Sequence, residues 1–406
     1  MKRFSVLLLM GLVFTLALSA CGGAALECED EIGCVEIAPD EPVRLAYMLT
    51  ISGPTAFLGE DSRGGIEIAI DDRGGEIVGH TIELVGEDSL CSAEGGQTAA
   101  QKVAADTQVV GVIGTNCSSA GTAASPILSE AGMLMISPSN TAAALTDADG
   151  TWKPGYYRTA HNDNFQGRIA AEYAYNELGA TTAATIHDGS PYADGLQAAF
   201  AARFAELGGT VTFQGAVNVG DTDMRPILTS VAADSPDILY FPIFEPEGNF
   251  IAAQSTEVSG LEDTTLFGAD GLLVEGFAAN TGPAAAGMYL SGPFVAGDAY
   301  ASLLDKWEAK FGGSPPSGFH GHAYDATNIL LDAIEKVAVQ GDDGTVLIPR
   351  KALRDAITAT SGFNGVTGTL ACSDTGDCAT GEALGVYELT EAEVDGNWPI
   401  EPIWTP

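Results

Sequence analysis

Between Val109 and Thr141 the chain reads VVGVIGTNCSSAGTAASPILSEAGMLMISPSNT, and few folds accept such a stretch. A β-branched run, VVGVI, ends in a Gly/Thr/Asn/Ser turn. A small-residue helical segment follows, and a second apolar run, MLMIS, ends in another Ser/Asn/Thr turn. Short apolar runs on either side of a helical segment read as buried parallel strands joined by a crossover helix. Both strands then bring hydroxyls and backbone N–H groups to one edge of a sheet. In open parallel α/β sheets, ligands sit in the crevice beyond the carboxyl ends of the strands. Ser118 and Ser119 stand where a helix N-cap is expected. The helix they open offers free N–H groups and a positive dipole end to an anionic group such as a carboxylate. Pro126 is expected to kink or restart that helix.

The rest of the chain extends the pattern. VRLAYMLTISG (43–53) and HTIELVGED (80–88) read as strands, separated by a Gly-Pro loop and a helix, and 94–108 reads as the helix before the central stretch. GTWKPGYYRTAHND looks like an irregular crossover, after which a second βα series begins. Its helices are 164–180, SPYADGLQAAFAARFAELGG, MRPILTSVAAD and EGNFIAAQSTEVSG; its strands are TTAATIHDG, TVTFQGAVN, DILYFPIF and TTLFGADG. MYLSGPF (288–294) looks like a second crossover, followed by helices at 299–311, 319–339 and 349–359, a Gly/Asp/Cys-rich loop and a final strand, GVYELT. At 406 residues two lobes are the default expectation. Two βα series with irregular joins place them at 43–161 plus 291–365, and 162–290 plus 366–406.

Lys2 and Arg3 precede an apolar run that ends at Leu18-Ser19-Ala20-Cys21. Residues 1–20 read as a secretory signal peptide, too short for a membrane span. The last four residues resemble a bacterial lipobox, which implies cleavage before Cys21, lipidation of that cysteine and an extracytoplasmic, membrane-anchored location. Residues 21–42, acidic and closed by Pro42, read as a tether holding a small disulfide knot. With 17 Lys and Arg against 55 Asp and Glu, the net charge of −38 argues against nucleic acid or anionic lipid as a partner. Setting Cys21 aside leaves six cysteines, an even number that suits an oxidising compartment. Six-residue spacings favour the local pairs Cys28–Cys34 and Cys372–Cys378, which leaves Cys91 for Cys117; spacing does not by itself establish the connectivity.

Several ordered signatures carry a resemblance to a known family: ISGPTAFLGE, DSLCSAEGGQTAAQKVA, the 109–141 stretch, IHDGSPYADGL, GDTDMRPIL with DILYF, and FGADG. From about Val43 to the C-terminus the chain resembles the leucine/isoleucine/valine-binding proteins, the amino-acid branch of the type I periplasmic binding proteins. The resemblance implies an α/β fold of two lobes, each a mostly parallel sheet flanked by helices, with the ligand cleft between them. It also implies a Cys91–Cys117 disulfide, in agreement with the pairing above. Carried over by position, Ser118 binds the ligand carboxylate and Thr141 bridges carboxylate and ammonium. The Ser139 carbonyl accepts from the ammonium, and Asn140 lies between these two in the same turn. Tyr192 comes from the closing lobe, Asp270 pairs with the ammonium, Phe244 forms an aromatic wall and Leu58 borders the side-chain pocket. The set makes physical sense, because a dry cleft must satisfy both charges of a zwitterion. The family's acid is often glutamate, one methylene longer than Asp270, and Leu58 and Phe244 replace bulkier or more polar aromatics.

Other chemistry finds little footing. His320, His322 and Asp325 in HGHAYD invite a metal reading, but i, i+2 spacing at a helix start puts the two rings on different faces. There is no CxxC, GxSxG, GxGxxG or GxxxxGK[ST], so metal, hydrolase and nucleotide readings go unsupported. Trp398 and Trp404 read as cover for the terminal segment. The expectation is a monomeric, cofactor-free, non-enzymatic binding protein that hands a branched-chain or other aliphatic amino acid to an ABC permease. The alternatives are an amide or urea ligand on the same scaffold, or a sensor for a signalling partner.

Overall fold

The computed structural model describes residues 26–379 and 383–406; the expected signal peptide and the lipidation site at Cys21 lie outside the described residues. The first lobe is built on a six-stranded sheet in the spatial order Glu76–Ile77, His80–Asp88, Val43–Leu49, Val109–Gly114, Met135–Ser137, Tyr156–Arg158. All neighbours are parallel except the first pair, a hairpin. Val109–Gly114 is buried at every residue, as a β-branched run flanked on both faces by helices must be. Apolar cores fill both faces of this sheet.

The second lobe repeats the plan in the order Leu384–Glu388, Tyr289–Pro293, Thr265–Gly268, Ile238–Tyr240, Thr182–His187, Thr210–Ala216. Only Leu384–Glu388 runs antiparallel to its neighbour. In each lobe the chain places its first long strand centrally and sends the following strands to opposite sides. The crevice where strand order reverses therefore opens between Val43–Leu49 and Val109–Gly114 in one lobe, and between Thr182–His187 and Ile238–Tyr240 in the other. The chain passes between the sheets after Tyr156–Arg158, after Tyr289–Pro293, and between the Cys372–Cys378 loop and Leu384–Glu388.

Most elements fall where the residues place them, and five differ. Residues 34–37 are not tether: Cys34–Ile37 pairs antiparallel with Val346–Pro349, and Val35 and Ile37 enter the first lobe's core. Their period-2 alternation was hidden by the acidic residues around them. The run 288–294 contains a strand, Tyr289–Pro293, paired on both sides within the second sheet. The expected crossover around 156–158 likewise holds the first sheet's last strand. Residues 366–378, expected in the second lobe, pack on the first: Leu370 and Cys378 lie in its core, and Asp377 ion-pairs with Arg158. Pro126 does not restart its helix. Ser118–Glu130 is one helix with the proline inside, since the lost N–H costs one bond while Ala124, Ser125 and Leu128 stay buried. The three disulfides are Cys28–Cys34, Cys91–Cys117 and Cys372–Cys378.

Candidate ligand-binding cleft

In the first lobe the Ser118–Glu130 helix begins at the switch crevice, with Cys117 as its N-cap and no side chain capping it. The Ser118, Ser119 and Ala120 N–H groups precede the first intrahelical bond, from Gly121 to the Cys117 carbonyl, so this end is open to an anion. Ser118 is the first helical residue rather than the cap, and its hydroxyl accepts from the Ala142 N–H at 3.2 Å. The Cys91–Cys117 bridge ties this corner to the turn that leads into the Ala93–Ala105 helix. Replacing both cysteines by serine is expected to cost about 2–4 kcal/mol in unfolding free energy. It should also weaken ligand binding, which titration calorimetry checks; unchanged affinity would show that the bridge does not set the Ser118 corner.

The neighbouring turn, Ser137 to Thr141, is braced from behind. The Ser137 hydroxyl donates to the Thr115 carbonyl at 2.7 Å and the Ser139 hydroxyl donates to the Asn116 carbonyl at 3.0 Å. The Asn140 amide donates to the Thr115 carbonyl at 3.0 Å, and its Oδ1 accepts from the Thr115 hydroxyl and from the Tyr156 phenol. The Asn140 side chain is therefore scaffold and does not line the cavity, contrary to its expected role as a ligand residue. Gly121 is packed so closely that a Cβ would stand 2.2 Å from Asn140 Oδ1. Gly121→Ala is expected to destabilise by about 1–3 kcal/mol through overpacking, read from the urea midpoint. Underneath runs Arg158, fully buried, whose Nη1 donates to the carbonyls of Asn140, Thr141 and Ala142 at 3.3, 2.9 and 3.0 Å. Its Nη2 bonds the Thr146 hydroxyl at 2.7 Å and Asp377 at 2.6 Å.

The second lobe contributes from its own switch point. Ser190 caps the Pro191–Glu206 helix by accepting from the Ala193 N–H at 3.1 Å, and Pro191 takes the first helical position. That combination fixes Tyr192 in the first turn. Its phenol donates to Asp270 Oδ1 at 2.9 Å and accepts from the Gly271 N–H at 3.1 Å. Asp270 follows Thr265–Gly268, and the chain can pass there only as glycine at 271, where a Cβ would stand 2.8 Å from the Ile243 carbonyl. Gln166 Nε2 also donates to Asp270 Oδ1, at 2.7 Å, while its Oε1 lies 2.5 Å from His161 Nε2.

The two half-sites meet. A nearly closed cavity of about 10 Å³ is lined by Leu58, Asn116, Ser118, Ser139 and Phe319 from one lobe and by Tyr192, Phe244, Asp270 and Gly271 from the other. Six of the eight expected ligand residues line it. Thr141 is buried in the braced turn beside it without lining it, and its carbonyl is taken by Arg158 and the Asp163 N–H. Leu58 sits in the first turn of the Phe57–Asp72 helix. Phe244 stacks at 5.0 Å on Tyr192 and also lines a wider mouth of about 590 Å³, where Leu90 and Cys91 face Pro191, Val219 and Pro246.

Among the described residues no lysine or arginine lines the cleft. Burial pushes the Asp270 carboxyl up, with His161, Gln166 and Tyr192 opposing. Asp163, the first residue of the Asp163–Glu172 helix, is fully buried and neither carboxylate oxygen has a hydrogen-bond partner among the described residues. Burial and then the nearby Asp270 raise it well above the ordinary carboxylate range. Sequence reading passed over Asp163, Gln166 and His161; in TAHNDNFQG the first acid reads as a helix-start residue, and only the fold sets it beside Asp270. Asn116 and Phe319 were missed too, though HGHAYD marks the start of the helix that Phe319 precedes. His320 and His322 are both buried at that start, and no cluster fit for a metal ion occurs among the described residues.

Two lobes closing on a small polar cavity, with an anion-accepting helix end opposite a buried acid, define a solute-binding protein. The chain belongs to the periplasmic binding protein family, whose sequence profile matches residues 42–393. It is 28% identical over 359 residues to the Leu/Ile/Val-binding protein BraC3 of Rhizobium johnstonii, covering 87% of this chain and 93% of that one. It is 29% identical to a leucine-, isoleucine-, valine-, threonine- and alanine-binding protein of Pseudomonas aeruginosa, covering 83% and 87% of the two chains. The crystal structure of a leucine-binding protein, LivK, from Thermotoga maritima superposes with a TM-score of 0.78 at 25% identity, covering 90% of this chain and 99% of that one.

Proposed function

We propose that this protein is the extracytoplasmic substrate-binding component of an ABC transporter, capturing one zwitterionic amino acid with a branched or other aliphatic side chain. The observation that carries the reading is the buried Asp270, held by two neutral donors and backed by Asp163, across the cavity from the open helix end at Ser118. A carboxylate satisfies the helix end and hydroxyl; an ammonium satisfies the two acids. Leu58, Phe244 and Phe319 leave an apolar wall for the side chain. Ligand contacts to both lobes drive hinge closure, and the closed form is what a permease recognises. The protein catalyses nothing and works as a monomer, anchored through lipid on Cys21. No helix among the described residues is long and apolar enough to cross a membrane.

The names of the relatives support this ligand class. A thermal-shift panel of L-amino acids, amides, urea and sugars tests it. A ligand at a hundredfold its dissociation constant adds about 2.7 kcal/mol of stability, so leucine, isoleucine or valine should raise Tm visibly. A shift with amides or urea alone overturns the amino-acid reading.

The raised acids add a pH signature. In the ligand-free protein Asp163 and Asp270 hold protons above the ordinary carboxylate range of about 4, so folding alone favours the protonated forms. Their contribution to stability is therefore present at low pH and fades as pH rises through the raised range. A bound ammonium favours the charged forms and drives protons off. Affinity should accordingly rise with pH through that range, with proton release measurable by calorimetry in buffers of different ionisation enthalpy. Binding that is flat from mildly acidic to neutral pH would contradict it.

A further inference from the structure

The hydrogen bonds that orient the Asp270 carboxylate run back to a crossover between the lobes. His161 lies there, between Tyr156–Arg158 of the first sheet and the Asp163–Glu172 helix of the second lobe, and is 3% exposed. Its ring stacks on Phe319, a first-lobe wall of the cavity, with centroids 6.2 Å apart and planes 18° from parallel. His161 itself does not line the cavity. Gln166, buried one turn into the helix, stands between His161 and Asp270.

The direction of each bond in this chain follows from the groups at its ends. Gln166 Nε2 lies 2.7 Å from Asp270 Oδ1 and 3.0 Å from the Ser291 carbonyl. A backbone carbonyl only accepts, so the NH2 end of the amide faces it and Oε1 is left facing His161. Oε1 only accepts as well, and His161 Nε2, at 2.5 Å, therefore carries the proton. Burial pushes the imidazole below its ordinary value of about 6.5, so the ring is neutral at neutral pH and Nδ1 is a bare lone pair. The other donor on the acid, the Tyr192 phenol, also goes to Oδ1. Both side-chain donors thus sit on one carboxylate oxygen, and Oδ2 is left for a ligand.

We propose that His161 is a positioning residue for the ligand ammonium: by donating to Gln166 it locks the amide with its N–H toward Asp270, and so turns Oδ2 to the cavity. This rests on the amino-acid reading of the cleft and adds to it a residue that touches no ligand. Without the His161 donor, Oε1 is buried and unpaired. The amide is then free to turn over, which sets its oxygen against the Asp270 carboxylate. With the donor in place the amide is also polarised, and its N–H bond to Asp270 is the stronger for it. An acid held ready in this way spends less of the binding energy on ordering.

Calorimetric titration with L-leucine tests the chain. His161→Phe keeps a ring against Phe319 and removes the donor; Gln166→Leu removes the relay. Each is expected to weaken leucine about tenfold, and the double variant no further than Gln166→Leu, because His161 acts only through the amide. His161→Gln, which returns an N–H donor at similar reach, should restore affinity to within about threefold of the parent. Two-bond proton–nitrogen correlation spectra of the ligand-free parent should show His161 protonated on Nε2 alone. The spectrum needs no ligand, so a parent that binds no leucine fails the amino-acid reading while the spectrum still decides the relay. The spectrum and His161→Gln also decide it if His161→Phe does not fold. Protonation on Nδ1, unchanged leucine affinity in His161→Phe, a loss of about a hundredfold in the double variant, or His161→Gln as weak as Gln166→Leu each overturns the proposal.

Discussion

Asp270→Ala is expected to reduce amino-acid affinity by about 3–5 kcal/mol, roughly two to four orders of magnitude, because it leaves a desolvated ammonium without its acid. The side chain is 5% exposed and its two protein partners, Gln166 and Tyr192, are neutral, so no cation is stranded when the carboxylate goes. The fold should accordingly survive, and a normal unfolding transition beside lost binding would separate function from stability. Asp270→Asn keeps the shape and the Tyr192 contact while removing the charge, and should lose nearly as much. Calorimetry on both variants reads the difference; affinity within a factor of three of the parent in Asp270→Asn would show that charge at this position is not what holds the ligand.

Arg158→Met is expected to cost about 3–5 kcal/mol of stability, the largest effect of any single substitution outside the cavity. It strands Asp377 and frees three carbonyls of the ligand turn at once. Burial would raise Asp377, but Arg158 beside it outweighs this and holds the carboxyl below its usual range. The stabilisation from the pair is thus present above the unfolded carboxylate pKa of about 3.9 and lost as pH falls through the depressed value. Adding Asp377→Leu to Arg158→Met should recover only part of the loss, since the Asn140 carbonyl is left unpaired and those of Thr141 and Ala142 keep only the Asp163 and Leu145 N–H groups. Urea unfolding of the three proteins checks this, and full recovery in the double variant would show that the turn does not depend on Arg158. The Cys372–Cys378 loop carries Asp377, so a disulfide far from the ligand in sequence braces the turn that holds Thr141.

What the sequence made legible was local. The VVGVI run, the Ser-Pro start of the Tyr192 helix and the GADG turn each carry their cause within a few residues, in β-branching, a cap, or a glycine forced by close approach. Strands that lack such a signature escaped: Cys34–Ile37 hides its alternation among acids, and Tyr289–Pro293 ends in a Gly-Pro that reads as a turn, yet Tyr289 and Leu290 are paired on both sides. In the cleft, most residues that touch the cavity from a signature turn were found, Asn116 excepted, while those acting through a second residue were not. Gln166 and His161 matter because Asp270 lies across from them, and Arg158 because its fork meets three carbonyls some 16 to 18 positions back. Asn140 erred in the opposite sense: its place in the turn suggested a ligand contact, but its amide faces inward to Thr115 and Tyr156. No periodicity encodes such pairings; they exist only once the sheets have set their edges together.

The central claim is that the cleft recognises both charges of an amino acid. The most direct test is calorimetric titration of the ligand-free protein with L-leucine and with 4-methylpentanoate, which keeps the carboxylate and side chain but has no ammonium. Leucine should bind, and the deaminated acid should bind at least about a hundredfold more weakly, because Asp270 then faces an apolar carbon in place of the ammonium it pairs with. Equal affinity for the two, or preference for the deaminated acid, would contradict the account.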